Sequence, residues 1–144
     1  MTSVHFETTK ADVLLNAKQE LWYYGEGLKE KGQPDFAAHL QASEDEDELL
    51  SRYISDSISS LAILVPYGEA VNTDTAIGLS CELPSNFDTK QTTAITQQVE
   101  AYLKYQTVAR WLKTIHSEKA RDFEELCKEP IVIINQALRK RKLP

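Results

Sequence analysis

The chain has 144 residues, of which 42% are hydrophobic, 26% charged and 8% aromatic, proportions of one ordinary soluble domain of roughly 100–150 residues. Its longest uninterrupted apolar run, Leu61 to Val65, is far short of the roughly 20 residues of a membrane helix, and a chain of this size buries about 68% of its unfolded surface without a metal or disulfide staple. The net charge of −6 conceals a segregation: residues 1–87 carry 5 Lys+Arg against 15 Asp+Glu, whereas residues 88–144 carry 11 against 7.

The opening Met1-Thr-Ser-Val-His-Phe-Glu has no apolar stretch after a basic start, so no secretory signal is expected. Val4-His5-Phe6 alternates and suggests a short strand. Thr9 stands where a helix cap would, with Asp12 three residues on. Leu14, Ala17, Leu21, Tyr24 and Leu28 then recur at helical spacing, and Trp22 and Tyr23 widen that face, so this helix should be well buried. Gly25 and Gly27 each cost about 1 kcal/mol relative to Ala inside a helix, which places its end near Tyr24; Gly32-Gln33-Pro34 reads as a stop. Between Pro34 and Ala42 there is room for one short helix.

Ser43-Glu-Asp-Glu46 is the strongest helix start in the chain, a capping box with the acidic run Glu44, Asp45, Glu46, Asp47 and Glu48 in the first turn, where the helix dipole favours negative charge. The run lacks the alternating ligands, mid-loop Gly and terminal Glu of a calcium loop. Leu50, Ile54, Ile58, Leu61 and Val65 form the apolar stripe of this helix, with Ser55, Ser57, Ser59 and Ser60 as its exposed flanks, and Pro66-Tyr67-Gly68 ends it. Ile77, Leu79, Cys81 and Leu83 then alternate strictly with Gly78, Ser80 and Glu82, the one convincing strand. It needs a partner for its backbone groups, either residues 69–73 through a hairpin over Asn72–Thr75 or the opening strand near Phe6.

Asp88, with Gln91 three residues later, opens a further long helix whose inner face carries Ile95, Val99, Tyr102, Ala109, Leu112 and Ile115; from 89 to 115 it would be roughly 40 Å long. The chain breaks at His116-Ser117, with Ser117 as the next cap. Ala120, Phe123, Cys127, Ile131, Ile134 and Leu138 keep helical spacing across Pro130, which either kinks the helix or begins a new one in its first turn. The β-branched run Ile131-Val-Ile-Ile134 leaves a short strand as the alternative. The expected fold class is mainly α: a bundle of three to four long helices with a small β hairpin or strand near residues 69–83, in a single domain spanning residues 1–144.

Catalytic and cofactor signatures are missing. The five glycines form neither a dinucleotide fingerprint nor a phosphate loop, and His5, His39 and His116 with two isolated cysteines give no metal-ligand spacing. His116, at a helix end, is expected to meet terminal carbonyls and the dipole. Cys81 and Cys127 read as small buried hydrophobes with free thiols. A Cys127–His116 nucleophile pair is the enzymatic alternative, because such partners meet in space and not in sequence. No catalytic residue, cofactor or metal is expected. Arg139, Lys140, Arg141 and Lys142 end the chain as four consecutive cations before Leu143 and Pro144. They suit a helix C-terminus, phosphates, or the acidic first half of another copy, since opposite potentials steer association.

The back half resembles small helical proteins of tailed phages and prophages of gut Bacteroidales. The residues that carry the likeness are Tyr102, Tyr105 and Trp111 on one helix, Ala120 and Phe123 on the next, then Arg139–Lys142 and Pro144. The acidic start Glu44–Glu48 before Leu49 and Leu50 is of the sort seen in head-tail connector-like proteins, and Pro130 departs from the unbroken last helix of that pattern. The resemblance implies a non-enzymatic virion subunit that assembles into a ring with copies of itself and with other virion proteins, in the virion or in the host cytoplasm. The partner-binding candidates are Arg139, Lys140, Arg141 and Lys142 on one side and Glu44, Asp45, Glu46, Asp47 and Glu48 on the other. The alternative is a small DNA-associated regulator that uses the basic tail and a degenerate helix-turn-helix at His116-Ser117. Four cations alone give only weak, salt-sensitive binding to nucleic acid.

Overall fold

A computed structural model describes residues 1–32 and 46–143. The expected short helix between Pro34 and Ala42, the capping residue Ser43, and Glu44 and Asp45 lie outside the described residues. The rest is mainly helical, with a three-stranded antiparallel sheet.

Strand β1 (Thr2–Thr9) runs directly into helix α1 (Lys10–Glu30), and Thr9 serves both. Its backbone closes the strand, and its hydroxyl accepts from the Asp12 amide at 3.3 Å, satisfying one of the orphan donors at the helix start. The helix does not stop near Tyr24. Val13, Ala17, Leu21, Gly25 and Leu28 form its buried stripe, so burial of this face outweighs the local propensity cost. The helix ends at Gly32, whose φ of +80° suits glycine and whose amide donates to Lys29 O at 3.0 Å. Trp22 and Tyr23 do not widen the buried face; they are 52% and 70% exposed, being one and two residues past Leu21 and thus rotated off the stripe.

Helix α2 (Asp47–Leu64) buries Leu50, Ile54, Ile58 and Leu61, and Val65 is buried just after it, the stripe that the spacing predicts. Val65 is extended, with φ −110° and ψ 115°, as a residue before proline prefers. The serines depart from expectation: Ser59 is exposed, but Ser55 and Ser60 are half-buried. Ser57 is fully buried, and its hydroxyl is satisfied within the helix by Tyr53 O at 2.7 Å.

Strand β2 (Gly68–Asn72) and strand β3 (Ala76–Leu83) form a hairpin, and β3 also pairs with β1, so the central strand takes both of the partners that the sequence offers. The β1–β3 register runs unbroken from Thr2 opposite Leu83 to Thr9 opposite Ala76. Ile77, Leu79, Cys81 and Leu83 are all buried. Gly78 is required by close approach: a Cβ there would stand 2.0 Å from Phe6 O and 2.7 Å from Glu7 Cα.

After β3, the Asp88 carboxylate accepts from Lys90 N at 3.1 Å and opens a 3₁₀ turn, Thr89–Gln91. Helix α3 (Thr92–Leu112) follows. It is shorter than expected at both ends, about 31 Å, because the first turn is 3₁₀ and the Ile115 and His116 amides both fold back to Leu112 O. Helix α4 (Ser117–Leu126) begins with His116, not Ser117, at the N-cap and without a side-chain cap bond. Helix α5 (Lys128–Leu138) starts one residue later, with Pro130 at its third position. There the ring costs no intrahelical bond, so the proline begins a helix and does not kink one. Residues 131–134 are helical, not a strand.

Two apolar clusters result. One joins the sheet to α2, α3 and α5 through Phe6, Ile58, Leu79, Val99, Leu103 and Ile134. The other is purely helical, built by α1, α3 and α4 with the start of α2, and centres on Leu21, Leu50, Leu112 and Phe123. Helix α3 passes through both, with Leu14 of α1 and its own Tyr105 packed against each.

Candidate functional site

The four terminal cations follow α5 and are held to the body by main-chain bonds. Asp88 N donates to Lys140 O at 3.0 Å and Lys142 N to Asn86 O at 2.7 Å, and Phe87 and Arg141 form an antiparallel bridge. Arg141 is partly spent on structure. Its guanidinium donates to Leu138 O at 2.7 Å and Lys140 O at 3.0 Å, satisfying a carbonyl at the α5 terminus, which is the helix-end role that the sequence allows for this run. Arg139, Lys140 and Lys142 are exposed, and among the described residues none of them pairs with a carboxylate.

Beside this strap lies an apolar cleft of about 360 Å³. Pro66 and Tyr67 form one wall, Leu83 and Pro84 another, and Leu138 with Arg139 and Arg141 the third; Met1 and Glu82 reach its margin. Asn135 fixes the α5 side by donating to Leu64 O at 3.3 Å, across from the α2 terminus. Tyr67 has φ +60°, the left-handed region that a residue with a Cβ enters at a cost of about 1–3 kcal/mol, and it is 82% exposed. The reversal from α2 into β2, within the three residues Pro66–Gly68, imposes that geometry and turns an aromatic ring outward at the cleft. A second cleft of about 520 Å³ is lined by Asp88, Lys90, Arg141 and Lys142 among others.

The acidic candidates divide. Glu46 is the N-cap residue of α2, without a side-chain cap bond. Asp47 is engaged within its own chain by Lys18 at 2.8 Å, a contact that ties α1 to α2. Glu48 is exposed, and Glu44 and Asp45 are outside the described residues.

His116 has a partner that the sequence does not reveal. Its Nδ1 is 2.9 Å from the Tyr24 hydroxyl, and the two rings stack with centroids 6.2 Å apart. The Lys119 ammonium lies 5.0 Å from the centre of the Tyr24 ring. Burial, and then the nearby Asp122 carboxylate, raise the Tyr24 pKa. This group latches the far half of α1 to the α3–α4 junction.

The Cys127 thiol donates to Gln106 Oε1 at 3.3 Å and to Phe123 O at 3.4 Å rather than to His116. Burial pushes the Cys127 thiol up to about 12, with Glu124 adding to the shift, and the Cys81 thiol up to about 11. Both are free and buried. A nucleophilic cysteine needs a lowered pKa and access, and these two have the opposite environment.

Among the described residues, no group of three or more His, Cys, Asp or Glu is placed to hold a metal ion, and no helix is long and apolar enough to cross a membrane. Comparison with protein-family models, curated proteins and solved structures gives no match to this chain.

Proposed function

We propose that the chain is a non-enzymatic assembly module, a phage or prophage virion subunit of head-tail connector type, whose copies dock the basic end of one onto the acidic first half of the next. The observation that carries this reading is the strapped tail. Arg139, Lys140 and Lys142 stand exposed on a segment already fixed by the Asp88–Lys140 and Lys142–Asn86 bonds, so docking orders little additional backbone. Charge supports the direction of docking, with an excess of 4 positive charges in residues 88–144 facing an excess of 10 negative charges in residues 1–87.

The neighbouring cleft supplies the apolar part of such a contact. Charged rims set register and on-rate, whereas buried apolar anchors hold a complex together. Tyr67, held outward at the cleft by a strained backbone, is the aromatic group best placed for that role. A contact between different surfaces on like molecules closes into a ring when the rotation between neighbours divides the circle. The connector assignment itself rests on the resemblance of Tyr102, Tyr105, Trp111 and the terminal cations to the phage proteins.

Light scattering at low and high salt tests the reading. Assembly through exposed charges gives a particle of several copies at low ionic strength that shrinks on screening. The same shrinkage is expected at low salt for R139E/K140E/K142E, which leaves the Arg141 cap in place. A mass unaffected by salt and by the tail reversal would refute docking through the tail.

A further inference from the structure

Single apolar side chains in solvent are ordinary, but they become informative when another surface of the molecule fits them. Leu15 and Trp22, seven residues apart, share one face of α1, and both are exposed. Trp22 keeps half of its surface in solvent although the Lys29 ammonium lies 5.2 Å from the centre of its ring. Lys18, one turn before it, pairs with Asp47 at 2.8 Å, which sets the ring beside the acidic start of α2. The lysines around it bring little net charge. Lys18 is offset by Asp47 and Lys29 by Glu26 at 2.9 Å, while Glu48 is exposed at the same helix start.

The apolar cleft has the complementary character. Pro66, Tyr67, Leu83, Pro84 and Leu138 wall it, with Arg139 and Arg141 alongside. At about 360 Å³ it lies near the low end of the roughly 300–1,000 Å³ that enclose small organic molecules, so it has room for one large ring and little more. Glu82, the one carboxylate among its lining residues, accepts from the Ser3 hydroxyl. The ring and the cleft are too far apart to meet within one chain. Asp47, near Trp22, and Leu64, whose carbonyl is held by Asn135 of the cleft, are the two ends of α2, about 26 Å apart.

We propose that the Trp22 ring of one copy seats in the Tyr67 cleft of the next, an inference that rests on the head-to-tail docking proposed above and names its apolar anchor. Trp, Tyr and Arg are the residues that most often dominate the energy of an interface, and guanidinium groups stack on indole faces. This contact joins Trp22 of one surface to Tyr67, Arg139 and Arg141 of the other. It also sets the acidic start of α2 against the basic strap, the same pairing of opposite potentials that directs tail docking. The two surfaces are different, as a head-to-tail contact requires.

Tryptophan fluorescence tests the anchor. The chain has two tryptophans, and Trp111 is only 5% exposed, so changes on assembly report Trp22. At one low ionic strength the unsubstituted chain is compared with R139E/K140E/K142E, in which tail docking is removed. In the assembled chain the emission is expected to shift to the blue and most of the acrylamide quenching of Trp22 to be lost. W22A should weaken self-association about 30-fold, the size of a hot-spot loss, whereas W22F, which keeps a ring, should stay within about fivefold. Tyr67→Gly removes the aromatic wall, suits the positive φ, and should weaken association in the same direction. Trp22 and Tyr67 are both exposed, so circular dichroism should show unchanged helix content in each variant. A salt-sensitive particle in which Trp22 is quenched as readily as in the single chain would overturn the anchor and leave tail docking in place. So would W22A that assembles as tightly as the unsubstituted chain. Absence of any salt-sensitive particle would overturn both.

Discussion

The two apolar clusters differ in what borders them. The helical cluster around Leu21, Leu112 and Phe123 is closed at its rim by polar latches: Lys18 to Asp47 at 2.8 Å, Lys104 to Glu20 at 3.3 Å and Tyr24 to His116 at 2.9 Å. The sheet cluster around Phe6, Leu79 and Leu103 is bordered by unfinished surfaces. The Tyr67 cleft and the strapped cations Arg139 to Lys142 lie on elements of that side. The sheet side also spends Arg141 and Asn135 on internal bonds, but it keeps Arg139, Lys140 and Lys142 exposed. In the assembly proposed above, the packed helical part holds the tail and the cleft in fixed relation.

Two glycines give the sharpest contrast between the ends. Gly78→Ala drives a Cβ into the Phe6 and Glu7 backbone, separates β1 from β3, and is expected to cost about 3 kcal/mol or more in chemical denaturation. In the helical half, nothing lies within 4 Å of a Cβ built at Gly27. Gly27→Ala is expected to stabilise by about 0.5–1 kcal/mol. Equal losses at the two sites would erase the distinction.

Alkaline unfolding should also begin at the sheet side, which holds both cysteines. Their thiols are raised from 9.0 to about 11 and about 12 in the fold. The folded state therefore keeps protons that the unfolded chain releases. Stability is fully present below pH 9 and declines as pH rises from 9 toward 12, by a loss on the order of 2–4 kcal/mol for each thiol at its upper end. C81A/C127A starts from lower stability, because it opens cavities, and should show a flatter decline over the same interval in urea titrations.

The latches predict smaller effects. Tyr24→Phe removes the hydroxyl beside His116 and is expected to cost about 1 kcal/mol, with no change in assembly by light scattering. A change in particle mass with unchanged stability would move Tyr24 from the closed end to the interacting one.

The sequence discloses the interior of this protein better than its surfaces. Leu50, Ile54, Ile58, Leu61 and Val65 announce α2, and Ile77 to Leu83 announces β3, because burial imposes a period on any element that packs one face. Thr9 as a cap is legible because the hydroxyl and the helix start are neighbours in the chain. The end of α1 was not legible from propensity, since the burial of Gly25 and Leu28 that sustains the helix is a tertiary property that the local sequence does not contain. The same holds for Trp22 and Tyr23, large aromatics that fall just off the packed stripe. The cleft gathers Tyr67, Leu83 and Leu138 from three distant segments, and the tail is fixed through backbone atoms of Asn86 and Asp88, which carry no side-chain signature. Of the candidate site, the cations were therefore visible and the main-chain bonds that tether them were not.

The most direct measurement mixes two charge-reversed proteins at low salt and follows their mass by sedimentation. One carries R139E/K140E/K142E; the other carries E44K/E48K. Alone, each opposes like charges at the proposed contact and should lose the salt-sensitive assembly. Mixed, each tail meets a face of opposite sign, and the salt-sensitive particle should return. A mixture that stays at the mass of its separate components would contradict docking of the basic end onto the acidic half.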